Sequence, residues 1–432
     1  MDSKRRIGLA SAIFLVVANM IGAGVFTTSG LSLADLGSPD MVLLAWFIGG
    51  LMAICGALSY GALARRFPES GGEYTFLSKT IHPVAGFLAG WISLLVGFTA
   101  PIAAAAHGLQ AYVAGPLGVT MQPQWIGTTA IVVAALSHGV RLQTGVALQN
   151  IVVVLMLLVI TAFVTAGALL MPPHSNAEIP VPITNDAGLA AFAVSLIWIS
   201  FAYSGWNASV YIGGEIKHPE RNLNRSLIIG TTLVTVIYLA LNAVFLYAAP
   251  VSALVGRIEI GAIAAEAIGG AGLQNVVSVL IALALFTSVL SMIMAGPRVY
   301  ARMAKDGLFP RLFAVKGEVP RAAVALQAGL AIIVLWNTKL AELLGYIGFT
   351  LGLSAAATVC GLLMLRLREG AARVPIPGYP YIPGMFILAT LAAAAFMATL
   401  RPWEAGIGLV TIAMGLPLYS LIRNVRKRKC DP

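Results

Sequence analysis

Charge is scarce in this chain: only 10% of its 432 residues are Asp, Glu, Lys or Arg. That scarcity excludes a soluble protein, because 59% hydrophobic residues and a mean hydropathy of +0.89 leave too little polar surface to face water. Cysteine is equally sparse. Cys55, Cys360 and Cys430 form no CxxC spacing, which excludes a disulfide framework or a cysteine-held metal cluster. The five histidines, His82, His107, His138, His174 and His218, are scattered without an HExxH pair. No serine sits in a nucleophile elbow, so a membrane-embedded enzyme lacks its acids, bases and metal ligands. Low-complexity linkers and soluble domains are missing too; the longest polar stretches are the loops at 310–320 and 370–380. The basic start runs into an apolar stretch too long for a cleaved signal and without a small-residue cleavage site, so a retained first span is expected.

What is present is apolar length. Twelve runs near the ~20 residues that cross a bilayer fall at 7–36, 41–63, 84–113, 123–139, 144–171, 189–215, 223–249, 273–303, 322–336, 340–365, 382–400 and 405–422. They are segments one to twelve below. Of the 27 Lys and Arg residues, all but Arg257, Lys339 and Arg401 fall on one face of the alternating loops. Positive charge stays on the cytoplasmic side during insertion, so both termini are expected there, in the cell's inner (cytoplasmic) membrane. The formal net charge of +10 is mostly this topological bias and does not imply a nucleic-acid partner. The basic tail 423–429 suits anionic lipid.

Two interruptions carry the functional signal. Segment one contains Ile21-Gly22-Ala23-Gly24-Val25-Phe26, and segment six contains Ala202-Tyr203-Ser204-Gly205-Trp206-Asn207. Unwound backbone survives at membrane depth only where it lines a protein cavity that gives its polar groups another partner. Two such breaks five segments apart predict a transporter site built from discontinuous helices. A break in segment one would free amides at the start of its second half, where the positive helix end favours a carboxylate. Gly22, Ala23 and Gly24 are small enough to let that carboxylate reach the main chain. Taken alone, the same three residues fit a small-residue packing face equally well.

Five motifs in order along the chain support a resemblance. They are IGAGVF at 21–26, PESGGEY at 68–74, FAYSGWN at 201–207 running on to EIKHPERNL at 215–223, RVYARMAKDGLFP at 298–310 and VPIPGYP at 374–380. Together they resemble prokaryotic members of the amino acid-polyamine-organocation superfamily, close to the L-type amino acid transporter branch. The resemblance implies an all-α polytopic fold of the LeuT type with twelve transmembrane helices. Helices one to five (1–171) and six to ten (187–366) would be inverted repeats, with helices one and six discontinuous. Accessory helices would occupy 382–423, and a cytoplasmic tail 424–432.

The same resemblance assigns the carbonyls of Met20 and Phe201 to a substrate ammonium and makes Phe201 an aromatic gate. Ser204 and Asn207 would lie beside the amine and side-chain end, and Phe349 would be a second gate or pocket residue. No Asp, Glu, Lys or Arg falls near the middle of any segment as drawn, which predicts neutral substrates and leaves proton coupling without a carboxylate. His107 reads as a neutral imidazole bonded to a neighbour, and Glu215 as an end-of-helix cap or loop ion pair.

Many relatives hold a lysine in segment five whose ammonium replaces a sodium ion; alignment on Gln149-Asn150-Ile151 puts Met156 there. Segment eight offers Ala284, Thr287 and Ser288 at i, i+3 and i+4, which resembles a LeuT-type sodium site facing the break in segment one. The carbonyls of Ala18 and Ile21 would complete it. Val25 occupies the place where two-sodium relatives have an Asn, so one Na⁺ at most is expected. A Thr-Ser pair can also merely bond the i−4 carbonyl. The expected function is therefore secondary active transport of neutral L-amino acids by alternating access, coupled to one Na⁺, with no cofactor and no obligatory protein partner inferred. Sodium-independent exchange and proton coupling are the alternatives within transport, and a non-transporting amino acid sensor is the alternative from another class.

Overall fold

A computed structural model describes residues 7–114, 122–140, 142–171, 185–314 and 319–430. Lys4, Arg5, Arg6, Arg141, His174 and Lys316 lie outside the described residues, as do the side chains of His138 and of the basic tail 423–429. Among the described residues no strand forms, and a single β-bridge joins Ile7 to Ile216. Among the described residues nine helices are long and apolar enough to cross a membrane, and shorter apolar helices at Gln124–Ser137, Gly188–Tyr203 and Arg321–Asn337 fall on segments four, six and nine. Large apolar side chains such as Leu136, Leu158 and Leu388 point outward, as a lipid-facing surface requires.

Segment one is two helices, Leu9–Met20 and Ala23–Leu36, separated by Ile21 and an extended Gly22. Segment six runs as Asn185–Tyr203, unwinds through Ser204 to Asn207, and resumes as the short Ala208–Tyr211 helix. Gly205 supplies the left-handed turn at φ 96°, a conformation that costs glycine little. Two further irregularities were not expected. Segment three carries a π-helical turn at Ser93–Thr99, and segment eight extends back to Ile260 across a bend at Gly269 and Gly270.

The two breaks lie against each other. A Cβ on Gly24 would come within 2.4 Å of the Ala202 Cα, and one on Gly205 within 2.7 Å of the Asn19 carbonyl oxygen. Behind them, Trp46, Tyr203 and Tyr238 of segments two, six and seven pack with ring centroids 5.0–5.6 Å apart. Each such aromatic pair contributes about 0.5–1.5 kcal/mol beyond the area it buries. This cluster holds the kinked helices at their point of contact.

On the face rich in basic residues the loops are tied by charge. Glu69 pairs with Lys79 and Arg302, Arg302 also with Asp306, and Arg298 with Glu215. Ile7 and the end of segment six share main-chain hydrogen bonds there, Ile7 N–H to the Glu215 carbonyl at 3.0 Å and Lys217 N–H to the Ile7 carbonyl at 2.9 Å.

Candidate functional site

A cavity of roughly 110 Å³ opens beside the break in segment six, walled by segments one, two, three, six, eight, ten and eleven. Phe201, Ser204, Asn207 and Phe349, all expected site residues, line it. Phe201 and Phe349 supply aromatic faces, while Asn19, Ser200 and Thr390 add polar edges. The π-helical turn brings Gly97 and Phe98 to the wall, and the Phe98 ring meets Tyr211 edge-on at 5.2 Å.

Met20, Gly22, Ala23 and Gly24 are not part of this lining. They sit one layer behind it, buried against segments six, seven and eight. The Met20 carbonyl accepts a hydrogen bond from the Tyr238 hydroxyl, which also donates to the Ala202 carbonyl at 2.9 Å. One hydroxyl proton thus serves a freed carbonyl on each side of the helix contact. The Phe201 carbonyl, expected to face an ammonium, accepts from Ser204 N–H at 2.9 Å inside the turn. Both carbonyls therefore already have a protein donor, though a carbonyl oxygen has a second lone pair to offer.

The residues read as a cation site are buried, and one contact joins segments one and eight among them. Ala18, Ile21, Ala284, Thr287 and Ser288 are fully buried, and a Cβ on Gly22 would lie 2.9 Å from Ser288 Oγ. Thr287 Oγ1 donates to the Leu283 carbonyl at 2.8 Å, the i−4 arrangement, whereas Ser288 Oγ is buried with no partner among the described residues. Met156 is buried and lines a small apolar cavity of roughly 30 Å³ together with Ala284 of segment eight and Phe26 of segment one. Val25 is buried as well.

One expectation is corrected. The sequence reading gave the cavity no carboxylate, yet Glu73 of PESGGEY lines it and is 3% exposed. The helix Gly72–Thr80, between segments two and three, turns inward instead of running along the surface. Gly71 and Gly72 make that possible with φ of 121° and 53°, and a Cβ on Gly72 would strike the Tyr211 ring at 2.3 Å. Glu73 accepts hydrogen bonds from Tyr60 at 2.5 Å and Asn207 at 3.2 Å on Oε1, and from Ser354 at 3.2 Å on Oε2. The signal in the sequence was the glycine pair: two adjacent glycines before an acidic residue mark a close approach of backbone to another element. His107 is half-buried with Nδ1 3.2 Å from Gln110 Nε2, and Glu215 forms its loop ion pair with Arg298 at 2.7 Å.

A helical membrane protein whose ligand cavity forms at paired helix breaks is a transport protein, not an enzyme. The chain belongs to the amino acid permease family, which matches residues 7–411. Over 99% of its length it is 28% identical to the human large neutral amino acids transporter small subunit 2, covering 82% of that protein. It is 26% identical to the mouse Asc-type amino acid transporter 1, over 97% of this chain and 81% of that one. It is also 26% identical to the serine/threonine exchanger SteT of Bacillus subtilis, over 99% of this chain and 98% of that one. It is accordingly an amino acid transporter of the amino acid-polyamine-organocation superfamily.

Proposed function

We propose that the chain carries neutral L-amino acids across the cytoplasmic membrane by alternating access, with both termini cytoplasmic and segments one to five and six to ten as inverted repeats. The observation that carries this reading is the contact of two helix breaks beside a cavity that mixes aromatic faces with neutral polar edges. The amino acid sits in that cavity between Phe201 and Phe349, with its polar groups toward Ser204 and Asn207. Amides at the start of the second half of segment one become available to its carboxylate when that half moves away from Ala202. One Na⁺ bridges segments one and eight, held by Ser288 Oγ, by Thr287 and by the carbonyls of Ala18, Ile21 and Ala284. The ion stabilises the form that receives substrate from outside. The unpartnered Ser288 hydroxyl supports this assignment.

Obligatory exchange without sodium is the second reading. It is favoured by the committed Thr287 hydroxyl and by the exchanger named among the relatives. Uptake of labelled L-serine and L-leucine into proteoliposomes, in sodium and in choline buffer and with and without internal amino acid, separates the two. Sodium-stimulated uptake into empty vesicles supports symport. Uptake that requires internal amino acid and ignores sodium supports exchange. A protein that binds either amino acid without moving it is a sensor.

A further inference from the structure

Glu73 is a buried carboxylate with neutral partners only among the described residues. Its donors come from three different segments: Tyr60 from segment two, Asn207 from beyond the break in segment six, and Ser354 from segment ten. The titratable side chains facing it are Tyr60 and Tyr211. The charges that could neutralise it are engaged elsewhere. Lys79 of its own helix pairs with Glu69, Arg302 with Glu69 and Asp306, and Arg298 with Glu215. A structural carboxylate in such a place ordinarily has a cation.

We propose that Glu73 is a proton-binding site that controls the movement of segment six at the substrate cavity, an inference that rests on the cavity being the transport path. As a carboxylate, Glu73 ties the second half of segment six, through Asn207, to segments two and ten. A proton taken up at Oε2 makes that oxygen a donor, and the Ser354 hydroxyl turns to accept from it. Oε1 becomes a neutral carbonyl oxygen, still accepting from Tyr60 and Asn207 but through bonds roughly half as strong, since charge assistance is lost. The Asn207 amide nitrogen cannot reverse its role. Its bond at 3.2 Å is therefore the one that uptake of a proton loosens, and it lies two residues from the turn at Gly205. Glu73 keeps its three partners in either protonation state, Ser354 by reversing its role, so only the strength of the bonds on Oε1 changes. Burial holds the Glu73 carboxyl above its ordinary value, against the pull of the three hydrogen bonds.

The test combines counterflow in proteoliposomes with calorimetry on the purified protein. Labelled L-serine and L-leucine are followed across a series of pH values for wild type, Glu73→Gln and Glu73→Asp. Binding heats are measured in two buffers of different ionisation enthalpy. Wild type is expected to exchange protons with the buffer on binding substrate, and its counterflow to speed up with acidification, by at most about tenfold per pH unit for one linked proton. Glu73→Gln should exchange no proton and show a flat profile, whereas Glu73→Asp should keep a displaced one. Should the Gln variant fail to fold, wild-type proton exchange and the Asp displacement still decide. Substrate binding without proton exchange, or a Gln variant that keeps the wild-type profile, overturns the Glu73 assignment alone. Absence of both binding and counterflow in wild type overturns the transport reading beneath it.

Discussion

Gly24 packs directly on Ala202: a methyl group built on the glycine would sit 2.4 Å from the alanine Cα. Neither side is a flexible side chain, so the clash cannot be relieved by a rotamer change. Gly24→Ala is expected to cost about 1–3 kcal/mol by overpacking and to lower both Tm and counterflow. Gly270→Ala is a useful contrast, because nothing lies within 4 Å and only its φ of 68° is strained. Thermal unfolding of the two purified variants checks the difference, and equal, undiminished counterflow in both would show that the helix contact is dispensable.

Tyr238→Phe keeps the ring in its aromatic cluster but removes the proton shared by the Met20 and Ala202 carbonyls. Leaving buried acceptors unsatisfied costs about 1–3 kcal/mol. The variant should unfold at lower temperature and transport more slowly, with unchanged dependence on sodium. A Tm equal to wild type would mean that water replaces the hydroxyl without loss.

Ser288→Ala and Thr287→Ala should differ. The Ser288 hydroxyl has no partner among the described residues and faces Gly22, while the Thr287 hydroxyl proton is committed to Leu283. If sodium is the coupling ion, Ser288→Ala should abolish sodium stimulation of uptake and Thr287→Ala should reduce it. Sodium titrations of initial uptake rate measure both, and identical curves for wild type and Ser288→Ala would remove Ser288 from the site.

Acid should loosen the basic face through Glu69. The hydrogen bond from Lys79 is the largest influence and, with Arg302, holds the Glu69 carboxyl below its ordinary value despite partial burial. A carboxylate lowered in this way stabilises the fold fully above its unfolded value and loses that contribution as pH falls through the lowered one. Its side chain is 43% exposed, so the effect is modest and screened by salt. Tm measured against pH for wild type and Glu69→Gln should converge at the acid end and separate toward neutral, most clearly at low ionic strength. Parallel curves would show that the pairing adds nothing.

The pair Arg298–Glu215 is more enclosed, Arg298 being 9% exposed. Glu215→Gln leaves the guanidinium without a counter-charge, its described partners reduced to the Met294 carbonyl and a neutral amide oxygen. Breaking a buried pair on one side costs about 3–5 kcal/mol, less where solvent reaches the acid. The double variant Arg298→Met with Glu215→Gln should recover much of the loss in Tm, a recovery that a merely local role for Glu215 would not produce.

The sequence made the membrane class, the apolar segments and both helix breaks legible, because lipid demands apolar length and unwound backbone demands glycine. Phe201, Ser204, Asn207 and Phe349, all read from the motifs, line the cavity. Glu73 was missed because a carboxylate just past an apolar run reads as loop, and only the fold of Gly71 and Gly72 turns it inward. The engagement of Met20 by Tyr238 was also invisible, since a tyrosine in segment seven carries no local sign of which carbonyl it will meet. Backbone bends such as Gly269-Gly270 shifted the start of segment eight for the same reason: hydropathy reports length, not direction.

Main-chain pairing of Ile7 with Glu215 and Lys217 makes residue 7 a passenger of segment six. Whatever displaces the far half of that helix must either drag residue 7 along or break these bonds. A fluorophore placed near residue 7 would then register the transport cycle from outside the cavity, and a bulky rigid fusion anchored there would act as a brake.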